Sequence, residues 1–138
     1  QVPLVEGYLA NLPAGVEPRI GFSRTVYPAW NEATALANIA QGLQAAAQSP
    51  QGANTPVYAR SLDDQIRHFN IHFGHPDKVI ASLQAEPLID HVTDFLFQLQ
   101  PGWPTQEQNL EAIELIASHI APALGWRPAI SLEPALTA

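Results

Sequence analysis

Three histidines, His68, His72 and His75, stand four and three residues apart, a spacing that can bring imidazoles onto one helical face as metal ligands. Gly74 and Pro76 interrupt any helix through all three, and no carboxylate pair completes a coordination sphere, so ordinary hydrogen-bonding histidines are the simpler reading and no metal is expected. Arg24 sits inside the otherwise apolar and β-branched run Arg19 to Ala29. A guanidinium there must find an acceptor, either a bound anion or a carboxylate or helix-end carbonyls beneath the sheet. Thr25 and Tyr27 lie toward the end of that run, and Gln98, Gln100 and Trp103 lie on and after a second one. In parallel α/β folds ligands gather at the C-terminal ends of strands, which makes these five residues pocket candidates; the amides could equally satisfy nearby backbone groups. Asp63-Asp64 could form a carboxylate pair, but capping the helix that follows is the cheaper use of Ser61-Leu62-Asp63-Asp64. Neither a dinucleotide fingerprint, a phosphate-cradling lysine loop nor a G-x-S-x-G elbow occurs.

The elements that must position these residues follow from periodicity. Leu4, Val5, Tyr8, Leu9 and Leu12 have helical spacing, closed by Pro13 and Gly15. Arg19 to Ala29 predicts a strand with Ile20, Phe22, Arg24 and Val26 on one face and Gly21, Ser23, Thr25 and Tyr27 on the other. Neither face is uniformly polar, which predicts cover on both sides. Asn31 caps an alanine-rich amphipathic helix reaching Gln48, with Leu36, Ile39 and Leu43 on one stripe. Ser49 to Pro56 reads as an exposed loop and a site for nicking. A short helix follows Ser61, then a turn at Gly74, then a helix opened by Pro76 with Val79, Ile80 and Leu83 buried. Thr93 to Leu99 predicts a central strand ending at Pro101-Gly102. Thr105 with Gln108 caps a last helix bearing Leu110, Ile113, Ile116, Ala117 and Ile120, with Pro122 expected to kink its final turn and Gly125 closing it. The tail from about 127 to 138 has no pattern. Strands alternating with helices mean an α/β fold with parallel pairing.

A chain of 138 residues, 46% hydrophobic and 14% charged, is one domain with enough surface to bury a real core. Its formal charge of -7 disfavours nucleic acid as a partner. It contains no run apolar enough for a membrane span and no secretory signal. The absence of cysteine excludes disulfides and thiolate chemistry and suits the cytoplasm. Methionine is also absent, and the start Gln1-Val2-Pro3 points to processing, proteolysis or trimming.

The runs G-H-P-D-K-V-I-A-S-L-Q, D-H-V-T-D-F-L-F-Q-L-Q-P-G and E-Q-N-L-E-A-I-E-L-I-A-S-H-I-A-P-A-L-G-W resemble, in that order, the C-terminal end of the bacterial luciferase-like flavin-dependent monooxygenases. S-R-T-V-Y-P-A followed by E-A is similar to that family's preceding strand and helix start. The likeness runs from Leu4 to Trp126. It implies a (β/α)8 TIM barrel that binds reduced FMN, or in some members the deazaflavin F420, and uses oxygen or hydride chemistry on a small organic substrate.

A whole barrel needs about 250 residues, so the resemblance implies that residues 1–138 are the C-terminal part of one, about two β/α units. An upstream barrel portion is then an expected partner, and exposed strand edges would favour a homo-oligomer. In the alkanesulfonate branch an Arg and a His project from the strand matching Arg19 to Ala29. Here Ser23, Arg24 and Thr25 stand near those positions without a His, so no catalytic residue is carried over. Ser23 joins Arg24, Thr25, Tyr27, Gln98, Gln100 and Trp103 as a flavin or substrate contact, and the chain alone is expected to be inactive. The alternative is a non-catalytic half-barrel acting as a structural or binding partner.

Overall fold

The computed structural model describes residues 1–99 and 105–127. Its elements are α1 (Val2–Ala10), β1 (Gly21–Pro28), α2 (Glu32–Ala47), α3 (Leu62–His68), β2 (Ile71–Gly74), α4 (Pro76–Gln84), β3 (Asp94–Gln98), α5 (Gln106–Leu115), a π-helical turn (Ile116–Ile120) and the single turn α6 (Ala121–Ala123), with 3₁₀ turns at Pro56–Ala59 and Ile89–His91. The α/β class and the parallel pairing are as the alternation of patterns predicts. None of the helices among the described residues is long and apolar enough to cross a membrane.

The three strands lie in the order β2-β1-β3, all parallel. Two sequence expectations change here. Thr93 to Leu99 is not central: β3 is an edge, and β1 holds the middle. Residues 71–74, where only a turn at Gly74 was expected, form a strand, because Thr25 to Pro28 offers an edge that Ile71 to Gly74 completes. Four residues are too few to show a two-residue period by themselves.

Successive strands of a barrel lie side by side in chain order, whereas β2 and β3 here flank β1, and the described sheet is open. Its helices occupy both faces. Tyr27 and Ile71 pack with Ala35, Ile39 and Leu43 of α2. On the other face Val26 packs with Val79 and Leu83 of α4 and with Ile120, flanked by Phe95, Phe97 and Ile116. A right-handed crossover from β1 to one edge, followed by another across β1 to the opposite edge, must place α2 and α4 on opposite faces.

Local chemistry sets the element ends. Asn31 Oδ1 accepts the Thr34 N–H at 3.0 Å, and Ser61 Oγ accepts the Asp64 N–H at 3.2 Å, so Asp64 serves its cap. Thr105 and Gln108 form a reciprocal capping box. At Gly74 the backbone turns with φ +106, where a Cβ would stand 3.3 Å from the Glu32 side chain, so both conformation and space favour glycine.

Pro122 does not break the last helix. In the wider turn before it the Ala121 N–H reaches back five residues to the Ile116 carbonyl. Pro122 then enters as the second residue of α6, a first-turn position where a missing N–H costs little.

Candidate functional site

In a pleated sheet, laterally paired residues share a face. Ser23 pairs with Leu96 and Thr25 with Gln98, so these four form one patch on β1 and β3. Among the described residues the helices on this side, α2 with Leu62 and Ile66 of α3 beside it, cover the end of the sheet at Tyr27 and Ile71. Ser23 and Gln98 are exposed, Thr25 is half-buried, and Leu96 is 55% exposed. The expectation that β1 is covered on both sides therefore holds for Tyr27 and fails for Ser23. The patch offers two hydroxyls and an amide around an apolar side chain.

The remaining expected site residues divide. Tyr27 is buried, its hydroxyl accepting from Asn38 Nδ2 at 3.1 Å, and its ring belongs to the α2 core. Gln100 and Trp103 lie outside the described residues. Arg24 points to the opposite face. Its Nε and Nη2 donate to Glu86 at 2.7 and 3.1 Å, Nη1 donates to the Ser23 carbonyl, and Nη2 also donates to Gln1 Oε1. The guanidinium carbon sits 3.5 Å from the Phe22 ring centroid, a further attraction for the cation. Of the acceptors foreseen for Arg24, the structure supplies a carboxylate under the sheet.

Glu86 follows α4 and is a node that sequence reading missed. Besides Arg24 it accepts from Asn70 Nδ2 at 2.7 Å and lies 3.1 Å from His72 Nε2. The other imidazole nitrogen of His72, Nδ1, is 2.8 Å from Ser82 Oγ. The side chains of Arg24, His72 and Glu86 are each at most 9% exposed. Hydrogen bonding from Arg24 holds the Glu86 carboxyl below its ordinary pKa, with Asn70, Arg24 charge and His72 adding to the same effect. Burial pushes His72 below its ordinary value, Arg24 adds to that, and Glu86 opposes it. His72 is thereby held as a neutral imidazole beside an ionised carboxylate. A polar residue at 72 within an apolar strand was the available signal, but its partners come from ten and fourteen residues on.

The histidines thus part company. His72 is buried in this node, His68 packs edge-on to Phe69, and His75 caps α4, its Nδ1 accepting the Asp77 N–H at 3.3 Å. Among the described residues no three His, Asp or Glu side chains are grouped to hold a metal ion. At the C-terminal ends of the strands, half-exposed Trp30 lies between His75 and His119, with ring centroids at 5.2 and 5.3 Å.

Comparison with protein-family models and with curated proteins returned no match.

Proposed function

We propose that this chain supplies one wall of the flavin and substrate site in a luciferase-like flavin-dependent monooxygenase, acting with reduced FMN, or F420, and oxygen on a small organic substrate. The observation that carries this reading is the patch of Ser23, Thr25, Leu96 and Gln98: polar hydrogen-bonding groups around an exposed apolar side chain, on neighbouring parallel strands, left uncovered by the described helices. Such a surface fits a planar heteroaromatic ring. Ser23, Thr25 and Gln98 would meet the polar edge of the isoalloxazine and Leu96 its face. Flavin, once bound and reduced, supplies the electrons for oxygen chemistry. The protein's share is to orient the ring and exclude water. Arg24 is not part of this wall, since its nitrogens are engaged with Glu86, Gln1 and the Ser23 carbonyl.

For the complete enzyme we take β1 and β3 as neighbouring strands that turn the patch toward the ligand; the strand order β2-β1-β3 and the seat of α2 on the patch's own face depart from a closed (β/α)8 barrel. β2 pairs only with Thr25 to Pro28, so no described strand pairs the same edge of β1 at Gly21 to Arg24, where a preceding strand would fit. The uncovered patch and the open edge of β3 also suit association with an upstream barrel portion or a second copy. We place the reaction in the cytoplasm, which a cysteine-free chain suits.

Lumiflavin, which has the ring but no phosphate, is the direct probe of this wall. Its fluorescence should be quenched saturably by the chain, and Thr25→Val with Gln98→Leu should weaken binding by about tenfold, the worth of one or two hydrogen bonds. Absence of saturable quenching at millimolar protein, or equal binding by the double variant, would count against the proposal.

A further inference from the structure

Beside β2 lies an open pocket of about 450 Å³ in which Ser82, His72 and Glu86 meet, with Lys78 and Arg67 also on its walls. Ser82 Oγ is 2.8 Å from His72 Nδ1, and His72 Nε2 is 3.1 Å from Glu86 Oε1. We propose that Ser82 is an activated hydroxyl that accepts acyl groups from small esters, with His72 as its base and Glu86 as the residue that positions that base. It does not depend on flavin binding.

The geometry assigns the roles. An ionised carboxylate can only accept, so a neutral His72 must place its proton on Nε2 toward Glu86, and its Nδ1 lone pair then faces Ser82. Glu86 is itself fixed by Arg24 and Asn70, so the imidazole is held by a rigid partner. Ser82 has one hydroxyl proton and two acceptors in reach, His72 Nδ1 and the Val79 carbonyl at 2.9 Å. Ser82 is half-buried at the pocket wall, so its oxygen can meet a ligand there.

In the reaction, Ser82 Oγ bonds to the ester carbonyl carbon as its proton passes to His72 Nδ1. The ester C–O bond then breaks, and the alcohol leaves with that proton. Water, deprotonated by the same nitrogen, cleaves the acyl-serine to release the acid and restore the hydroxyl. The charged and polar groups that bear on His72 are Glu86 after α4, Arg24 of β1, Asn70 before β2 and Ser82 of α4, with Lys78 of α4 and Arg67 of α3 at the pocket.

Ser118 provides an internal comparison. Its Oγ is 2.7 Å from His119 Nδ1, and among the described residues His119 is in no ion pair with a carboxylate. The test is labelling with a fluorophosphonate, located by peptide mapping, alongside p-nitrophenyl acetate hydrolysis. An adduct on Ser82 but not on Ser118 is expected, absent in Ser82→Ala. The labelling rate should rise with pH around a midpoint below the ordinary histidine value of 6.5. His72→Gln, with its circular dichroism retained, should slow labelling by roughly a hundredfold, the lower end for a positioned base. Glu86→Gln, with its circular dichroism checked because it also breaks the Arg24 pair, should slow labelling and move the pH midpoint, and Glu86→Asp should recover part of the rate. A folded wild-type chain that leaves Ser82 unlabelled, labels Ser82 and Ser118 equally, or reacts at a pH-independent rate overturns the proposal.

Discussion

At the scale of single residues, Arg24 and Glu86 form a buried ion pair at 2.7 Å. Both side chains are 9% exposed, so deleting one charge strands the other away from water. Glu86→Gln should destabilise the fold by about 3 kcal/mol or more, whereas replacing both partners by well-packed apolar residues should recover most of that loss. Urea unfolding of the single and double variants measures it. The same node sets a pH dependence. His72 binds its proton less readily when folded than at its ordinary value of 6.5, so acid favours the unfolded chain. Stability should be fully present above pH 6.5 and fall as pH drops from there toward the folded value. Glu86, also depressed from its ordinary 4.5, adds a second loss as pH falls from 4.5 through its folded value. His72→Gln should remove the first phase alone, as read by thermal melts across pH. The need for a partner at Arg24 was legible in the chain. Glu86 as that partner was not, because it lies 62 residues away and local pattern carries no information about such a pairing.

At the scale of elements, the caps were the most legible parts, since a cap is a contact within three or four residues. Thr105→Ala should cost about 1 kcal/mol by removing one half of the capping box, and a lowered melting temperature would register it. Gly74 was correctly marked as a break, but its strand was not seen. Gly74→Ala meets both the φ of +106 and the Glu32 side chain at 3.3 Å. It should destabilise by about 1–3 kcal/mol, while Gly7→Ala, in a helix with open space at its Cβ, should be neutral or stabilising. Pro122 shows a local rule accommodated: the π turn Ile116–Ile120 precedes it, and Pro122 falls in the first turn of α6, where its missing N–H costs little.

At the scale of the molecule, much apolar surface is left uncovered. No residue of α1 is buried, Leu4 is 78% exposed and Leu96 55%, and β3 has an edge that no described strand pairs. Surfaces of this kind drive association. We expect concentration-dependent self-association in light scattering, reduced by Leu96→Lys, which sets a charge into the uncovered patch. A monomer at all concentrations would refute that expectation.

The sequence by itself determined what depends on neighbours along the chain: two of the strands, the helices on either side, their caps, and an α/β class with parallel pairing. Hydrophobic period and cap chemistry act over a few residues, so they are written locally. Only the tertiary structure decided that β1 is central and β3 an edge, that residues 71–74 complete the sheet, that Ser23, Thr25 and Gln98 share an open face while Arg24 and Tyr27 are buried, and that Ser82, His72 and Glu86 meet. Each of those outcomes depends on crossovers that bring distant segments together, and their geometry is fixed by which faces can be buried at once.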